Sequence, residues 1–402
     1  MTELYPLDNP VQRYDWGSPR QIPELLGVPA DGRPVAELWL GAHPSAPSRS
    51  GGAALGDLVR SDPEGMLGRR VSDRFGPRLP FLLKVLAAER ALSLQVHPRP
   101  HLARAGYNRE NALGIPLDSP ERSFHDDQHK PEMVVALTEF EGLAGFRTPR
   151  TVLGLLDGLD GPLIGRVRTA LEADRTTSGV RQAFVELLTA RTSATCADVV
   201  GASVQAVRDR LASGSPSRRA DATVVRLAEQ HPGDPGALAS LLLNRVTLDP
   251  GDALFLPPGE AHAYLSGLAV EVMASSDNVL RAGLTSKRID VDALLECASF
   301  APRRPATPEI TTSGGRGQVH TYRVPVAEFA LTLADVDASE DVTLPQAGPR
   351  IVLCLDGSVE LTSDRSDDGP ARLHRGESVF VPHDAGNLTL AGSGHVVCAW
   401  VP

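Results

Sequence analysis

Lysine is almost absent from this sequence: Lys84, Lys130 and Lys287 are three of its 40 basic residues, and arginine supplies the other 37. An ammonium group is a compact, tunable point charge, whereas guanidinium is a wide fork that stays protonated. Lysines that persist against this bias therefore indicate positions where a guanidinium does not serve. Chance survival on a solvated surface is the alternative, but Lys84 lies inside the apolar run FLLKVLAA.

Cysteine is also scarce, and long apolar runs are missing. The four cysteines lie far apart and form no CxxC pair, which argues against a disulfide framework and a thiolate zinc site. We interpret them as reduced thiols. No stretch approaches the roughly 18 apolar residues of a membrane span, and the N-terminus has no apolar signal-peptide core. We therefore expect a soluble, cytoplasmic protein.

The charge balance is acidic: the 402 residues carry a net charge of −10, and the pI is near 5.6. This argues against general nucleic-acid binding, and no polybasic patch for a membrane surface is present. An acidic protein that binds an anion needs locally concentrated cations, which again draws attention to the lysines. The length predicts two or three domains. Because no heptads or large apolar stripe argue for assembly, we expect a monomer.

The pattern of apolar residues divides the chain into three parts. Short runs at 35–43, 81–88, 92–98 and 132–140 predict strands. From about 148 to 245, leucine and valine recur with helical spacing. Strand patterns then return, and APRRPATPE near 305 predicts a linker. We expect a mainly β protein with an α insertion: a metal-binding domain of residues 1–147 plus 246–305, a helical insertion of 148–245, and a C-terminal β domain of 306–402.

The segment GDALFLPPGEAH contains a spaced motif that ends at His262. Gly251, Pro257, Gly259 and His262 are its fixed positions, and they predict a strand, a tight turn and a returning strand that carries the histidine into a barrel. The spacing resembles the second metal motif of the cupin family. A hairpin histidine with a structural role is the alternative.

Two further segments supply partners for this histidine. In the strand SLQVHP, Ser93, Gln95 and His97 share one face, and HKPEM offers the carboxylate of Glu132. Together with His262, these residues give two nitrogen and two oxygen donors, a set that suits zinc acting as a Lewis acid. Individually, Gln95 also fits a simple hydrogen-bonding role and Glu132 a helix cap or surface acid.

Several separated motifs together resemble the type I mannose-6-phosphate isomerase (phosphomannose isomerase) family: YDWGS, WLGAHPSAPS, SLQVHP, HKPEM, GEAHAYLSG and VEVMASSDNVLRAGLTSK. The resemblance covers nearly the whole chain. It implies a cupin-type β-barrel or jelly-roll catalytic domain, a helical domain, and a degenerate cupin-like C-terminal domain. It also implies one zinc ion per chain, bound by Gln95, His97, Glu132 and His262.

The same resemblance assigns the residues that handle the substrate. It implies reversible interconversion of mannose 6-phosphate and fructose 6-phosphate, with Arg281 as the active-site arginine. The substrate positions that it implies are Ser93, Lys84, Lys130, Tyr264, Glu271 and Lys287. We add His129, which directly precedes Lys130 and is otherwise a loop histidine.

The isomerisation needs a general base for the C2 proton and cations for the developing oxyanion. Glu271, on one strand face with Ala269 and Met273, is one candidate base, and a desolvated Lys130 is the other. We expect Arg281 and a lysine to stabilise the enediolate. We expect the phosphate to meet Lys287, Lys84 and Ser93.

The C-terminal echo of the motif, GESVFVPHDAGN, has Asp384 in place of the glycine and Asn387 in place of the histidine, so it predicts no metal there. Ser286 departs from the family, which often has proline at that position.

A non-catalytic, metal-dependent sugar-phosphate-binding cupin is the alternative function, and it predicts binding without turnover. A metal oxygenase is a third hypothesis, which redox-active iron would support.

Overall fold

The structure is a computed structural model that describes residues 4–345, 348–365 and 369–402. Short strands and helices make up the first part of the chain: β1 (Tyr5–Pro6), β2 (Val11–Gln12), α1 (Gln21–Leu25), β3 (Glu37–Gly41), β4 (Arg49–Ser50), β5 (Ala53–Ala54), α2 (Leu55–Ser61), α3 (Pro63–Leu67), α4 (Arg69–Phe75), β6 (Phe81–Ala88), β7 (Leu94–Val96), α5 (Pro100–Ala112), β8 (Glu132–Ala136) and β9 (Phe140–Phe146). All four strands predicted in this part are present.

The middle of the chain is helical, as the leucine and valine spacing predicts. Its helices are α6 (Pro149–Leu156), α7 (Pro162–Ala173), α8 (Thr177–Ala190), α9 (Cys196–Gly214), α10 (Arg218–Gln230) and α11 (Gly236–Ala239), followed by a 3₁₀ turn at Ser240–Leu242. Their apolar faces share one core with the inner residues Leu94 and Val96 of β7. The helical part is therefore packed directly behind a strand that carries predicted site residues.

Strands return after this turn and continue to the C-terminus: β10 (Leu243–Leu248), β11 (Ala253–Leu256), β12 (His262–Ala274), β13 (Leu280–Gly283), α12 (Val291–Cys297), β14 (Glu309–Gly314), β15 (Gln318–Arg323), β16 (Ala330–Val336), β17 (Val342–Thr343), β18 (Arg350–Ser363), β19 (Ala371–His374), β20 (Ser378–Val381) and β21 (Leu388–Trp400), with a 3₁₀ turn at His383–Ala385. No helix within the described residues is both long and apolar enough to cross a membrane.

The first sheet has ten strands and is organised around the long strand β12. Its main path runs β10-β9-β12-β6-β3-β2, and β7, β8, β11 and β13 pair alongside this path. The first half of β12 pairs with β7 and β9, and its second half pairs with β6 and β8. One strand thus brings His262 at its start and Glu271 near its end into the same sheet.

Strand β6 shows how the alternation of a strand positions a charged residue. Lys84, with its neighbours Leu82 and Leu86, faces a large cleft. Leu83 and Val85 point the other way, into a separate apolar core. Successive side chains of a strand alternate between its two faces. The run FLLKVLAA therefore directs one ammonium group into the cleft, although all eight residues of the strand are buried.

A nine-stranded sheet forms the C-terminal part, with the path β1-β20-β18-β21-β16-β15-β14. Its edge strand β1 comes from the N-terminus, where Tyr5 lies opposite Phe380. One apolar core contains Leu38 of β3 together with Ile351 of β18, so the two β parts pack on each other. We propose the division at residues 148, 246 and 306 as domain limits. The run of helices supports it, although β1 joins the C-terminal sheet.

Candidate metal centre and active-site cleft

Three predicted ligands converge in the interior of the first sheet. His97 follows β7, Glu132 opens β8 and His262 opens β12, and all three are almost completely buried. The Nε2 atom of His97 lies 3.3 Å from Oε1 of Glu132, and the Nε2 atom of His262 lies 3.3 Å from Oε2. One donor atom from each residue falls within 4.8 Å of the others. Segments far apart in the sequence therefore meet with metal-site spacing.

Hydrogen bonds from the far side of each imidazole orient the two histidines. Nδ1 of His97 is 2.7 Å from the carbonyl oxygen of Asn278, and Nδ1 of His262 is 3.0 Å from that of Glu260. Because a carbonyl only accepts, each proton is on Nδ1 and the lone pair is on Nε2. Such partners fix the tautomer and direction of metal-binding histidines.

This arrangement leaves buried acceptors facing each other. Nε2 of His97, Nε2 of His262 and Oε2 of Glu132 have no hydrogen-bond partner in the described parts of the chain. Burial lowers the pKa of His97 to about 4, although Glu132 opposes this effect, so the imidazole is neutral. Burial also works to raise the pKa of Glu132, but the positive charge of Lys130 and the surrounding polar groups outweigh burial and hold that pKa well below its ordinary value. Imidazole lone pairs that face a carboxylate fit a divalent cation such as zinc.

Gln95 lies at the same place in the sheet. On β7 it is opposite His262 of β12 on one side and Arg281 of β13 on the other, and its side chain lines the cleft together with Glu132. As predicted, Leu94 and Val96 are fully buried in the core behind it. The strand register therefore places Gln95 beside the group formed by His97, Glu132 and His262.

The cleft has a volume of about 720 Å³. The predicted residues that line it are Lys84, Ser93, Gln95, Lys130, Glu132, Tyr264, Glu271, Arg281 and Lys287. His129 is not among the lining residues, and its Nε2 atom lies 2.8 Å from Oε1 of Glu328. This contact joins the metal-binding part of the chain to the C-terminal part, so the position of His129 favours a structural role over contact with a substrate.

An ion-paired network occupies one wall of the cleft. Nζ of Lys84 is 3.1 Å from Oε2 of Glu271 and 3.7 Å from Oε1 of Glu37. The hydroxyl of Tyr264 donates to Oε1 of Glu271 over 2.8 Å. This geometry follows from register, since Glu271 of β12 lies directly opposite Lys84 of β6, and Lys84 lies opposite Trp39 of β3.

The protonation of this network is set by burial and by its own charges. Burial raises the pKa of Glu271, and the nearby charge of Lys84 only partly offsets that rise. For Lys84 the balance is reversed: burial acts to lower its pKa, but Glu37 and Glu271 outweigh it and raise the pKa. Burial, followed by the charge of Glu271, raises the pKa of Tyr264 well above its ordinary value. A carboxylate with a raised pKa beside a permanently charged ammonium is suited to proton transfer.

Lys130 and Arg281 bring further positive charge to the cleft. Nζ of Lys130 is 3.0 Å from Oε1 of Glu132, and the lysine is almost fully buried. Arg281 is half-buried, and burial lowers the pKa of its guanidinium. Lys287 lies at the exposed rim, where burial and then the charge of Arg281 lower its pKa.

The helical part of the chain holds the segment that carries Lys287. Leu284 turns the backbone with a φ of +54°, a conformation that costs energy for a non-glycine residue. Arg191 then donates to the carbonyl of Thr285 over 2.5 Å, and Asp234 accepts the backbone N–H of Thr285 at 3.2 Å. These two hydrogen bonds hold the rim of the cleft against the helical part of the chain.

Several cleft residues are not identified by the sequence analysis. Nε2 of His43, which is buried, lies 3.1 Å from Oδ1 of Asp277. Glu37 accepts from the indole of Trp39 at 2.6 Å and also faces Lys84. The motifs WLGAHPSAPS and VEVMASSDNVLRAGLTSK contain three of these four side chains, but no spacing rule singles them out. Glu37 has no such signal.

Comparison with known proteins agrees with this site. Residues 4–149 match the family "Phosphomannose isomerase type I, catalytic domain", and residues 318–401 match "Mannose-6-phosphate isomerase, cupin domain". The mannose-6-phosphate isomerase of Escherichia coli (strain K12) is 38% identical over 400 residues, covering 97% of both chains. Mannose-6-phosphate isomerase 1 of Arabidopsis thaliana is 34% identical, covering 93% of this chain and 88% of the relative.

Solved structures give the same answer. A zinc-bound mannose 6-phosphate isomerase crystal structure superimposes with a TM-score of 0.86 at 35% identity, covering 99% of each chain. A structure bound with zinc and yttrium matches equally well over the same share of both chains. The predicted fold class and the predicted zinc cofactor are thereby confirmed. With a catalytic and a cupin domain, a histidine–glutamate metal centre and whole-length relatives in bacteria and plants, the chain belongs to the type I phosphomannose isomerase family.

Proposed function

We propose a mechanism by which this cleft carries out the reversible aldose–ketose isomerisation of mannose 6-phosphate and fructose 6-phosphate, the activity of the family. The observation that carries the proposal is the meeting of His97, Glu132 and His262 beside a cleft that also holds the Lys84–Glu271 pair. Metal donors and acid/base groups thus face one space large enough for a sugar phosphate.

We assign the metal-binding role to Gln95, His97, Glu132 and His262. Three of these residues have buried acceptor atoms without a hydrogen-bond partner among the described residues, and Gln95 is adjacent in register. When bound, zinc supplies Lewis-acid stabilisation for an oxygen of the substrate near the carbon atoms that exchange a proton. The protein holds the donors in place through the backbone carbonyls of Asn278 and Glu260.

We assign Glu271 as the general base that removes the C2 proton and returns it at C1. Its raised pKa makes the carboxylate a stronger base than an ordinary glutamate, and Tyr264 and Lys84 fix both of its oxygens. Lys130, the other candidate, contacts the ligand oxygen of Glu132. That contact supports a role for Lys130 in orienting Glu132 and adding positive charge.

We assign to Arg281 the role of stabilising the oxyanion of the enediolate. It lies opposite Gln95 in the pairing of β13 with β7, so its guanidinium enters the cleft beside the metal centre. A fixed cation directed at developing charge is an effective form of transition-state stabilisation, because it needs no reorganisation during the reaction.

We assign the phosphate to Lys287 and Ser93. Lys287 is at the exposed rim, where a phosphate dianion keeps part of its hydration, and Ser93 also lines the cleft. The carboxylates around Lys84 already balance its charge. This contact pattern supports a role for Lys84 beside the base, in place of the phosphate contact expected from the sequence.

A monomer in the cytoplasm is the setting that we propose for this enzyme. Its large exposed apolar side chains come from separate segments, which does not favour a large subunit interface. All four cysteines are free, as expected in a reducing compartment. Light scattering of the purified protein tests whether it is a monomer, and a dimer would contradict that proposal.

Metal analysis combined with a coupled assay for fructose 6-phosphate formation tests the function. We expect about one zinc per chain and turnover of mannose 6-phosphate that chelation abolishes and zinc restores. Binding of mannose 6-phosphate without product would instead support the non-catalytic cupin. Full turnover of the chelated, zinc-free protein would contradict the proposed metal role.

A further inference from the structure

A second concave site lies where α10 meets the strands β10 and β12, outside the lining of the cleft. Its volume is about 470 Å³, within the roughly 300–1,000 Å³ typical of small-molecule sites. Four arginines line it, and we call it the arginine pocket: Arg218, Arg219, Arg226 and Arg245. Leu227 and Leu265 add an apolar surface. None of its lining residues lines the active-site cleft.

The positive charge of this pocket is only partly balanced. Glu141 is the carboxylate in contact with it, pairing with Arg226 at 3.2 Å and also with Arg245. Arg219 donates to the hydroxyl of Thr247. The side chain of Arg218 has no hydrogen bond or ion pair with any residue that the structure describes. Among the described residues, one carboxylate therefore pairs with two of these four guanidinium groups, although the protein as a whole carries a net charge of −10.

A nearby arginine shows the contrast. On the other side of α10, Arg210 donates through Nε to Asp221 at 2.8 Å and also through Nη2, which satisfies a fully buried carboxylate. In the pocket, by comparison, the buried Nε of Arg245 has no hydrogen-bond partner among the described residues. Like charges held together repel one another, and a bound anion relieves that repulsion.

The backbone favours the same kind of ligand. Arg218 and Arg219 are the first two residues of α10, a helix of 13 residues, and Ser217 makes no side-chain capping bond to it. The positive end of the helix dipole adds to the arginine charges. Planar guanidinium groups also match the oxygen geometry of phosphate through paired hydrogen bonds.

We propose that the arginine pocket is a second anion site, which binds a phosphate group carried by inorganic phosphate or by a small phosphorylated metabolite. The site is physically connected to the active site. Arg226 donates to the carbonyl of Leu265 at 3.1 Å, next to Tyr264, and Gln230 lies one helical turn further along α10 in the lining of the cleft.

Hydrogen–deuterium exchange of the zinc-loaded enzyme tests the proposal with inorganic phosphate as the probe. We expect phosphate to slow exchange in residues 218–226, separately from any effect on the cleft segment 281–287. In the double variant Arg218→Gln/Arg219→Gln, the phosphate concentration that gives half-maximal protection of 218–226 should rise about tenfold, because charge-assisted hydrogen bonds are lost. Turnover of this variant should stay normal, because neither residue lines the cleft.

The matched control is Arg166→Gln/Arg181→Gln, which removes the same charge from exposed positions on α7 and α8. It should leave protection of 218–226 unchanged. A second arm with mannose 6-phosphate identifies the source: protection by both compounds indicates recognition of the phosphate group itself, and protection by the ester alone indicates a metabolite site. No protection of 218–226 by either compound, or equal protection in both double variants, would overturn the proposal.

Discussion

Removal of zinc should destabilise the folded protein as well as abolish its activity. Without the metal, Nε2 of His97, Nε2 of His262 and Oε2 of Glu132 are buried acceptors with no hydrogen-bond partner in the described parts of the chain. Each unpaired buried group costs about 1–3 kcal/mol, so the three together cost roughly 3–9 kcal/mol. Zinc that coordinates all three removes much of this cost.

The assay is denaturant unfolding of the chelated protein against buffered free zinc. Zinc that binds only the folded state should raise the free energy of unfolding with its concentration, by about 2.7 kcal/mol at one hundred times its dissociation constant. His262→Ala should lose zinc content, turnover and most of this zinc-dependent gain. The matched control is His101→Ala, which alters an exposed histidine on α5 and should keep all three.

Two results would refute this reasoning. If zinc leaves the unfolding midpoint of the wild-type protein unchanged, the buried acceptors do not bind it. If zinc stabilises His262→Ala as much as wild type, the metal binds elsewhere on the chain. Either result would also remove the basis for placing the substrate beside Glu132.

Three further predictions concern the cleft, and a fourth concerns two buried thiols outside it. Arg281→Ala should keep its zinc and lose about 10²–10³-fold in kcat/KM, as removal of an oxyanion stabiliser does, and an unaltered rate would exclude it from the mechanism. Since Glu271 acts as a base only when ionised and burial raises its pKa, kcat/KM should fall as the pH drops through that raised value. Because Lys84 opposes this rise, Lys84→Met should move the acidic limb to higher pH; a limb that stays in place would contradict Glu271 as the base. Burial raises the pKa of Cys297 and Cys398 to about 12, so both thiols should resist alkylation until the protein is unfolded, as mass spectrometry can show.

The parts of the fold that follow local rules are predictable from the sequence. The alternation in FLLKVLAA places Lys84 on one face of β6, and SLQVHP places Gln95 opposite the buried Leu94 and Val96. Helical spacing identifies the insertion. In each case the signal lies within a few neighbouring residues, because strand and helix periodicity depend only on local geometry.

Contacts between distant segments are not predictable in this way. The two-residue strand β1 is too short to show a period, yet it pairs with β20. His129 lies next to Lys130 in the sequence but faces Glu328 across the contact between the two β parts. The hydrogen bond from Arg191 to the carbonyl of Thr285 likewise joins the helical insertion to the rim of the cleft. Tertiary packing decides all three, and no local pattern encodes them.

The persistence of lysine has a physical explanation at two of its three positions. The buried Nζ of Lys84 lies between Glu37 and Glu271, and that of Lys130 contacts a single oxygen of Glu132 that also faces the metal centre. A guanidinium has five donors in a rigid plane, which such enclosed positions cannot all satisfy. Lys84→Arg and Lys130→Arg should therefore each lower kcat/KM by more than about tenfold, a loss that corresponds to only 1.4 kcal/mol. Lys287→Arg, at the exposed rim, should retain most of the activity, and wild-type rates in all three arginine variants would show that the persistence of lysine has no chemical cause.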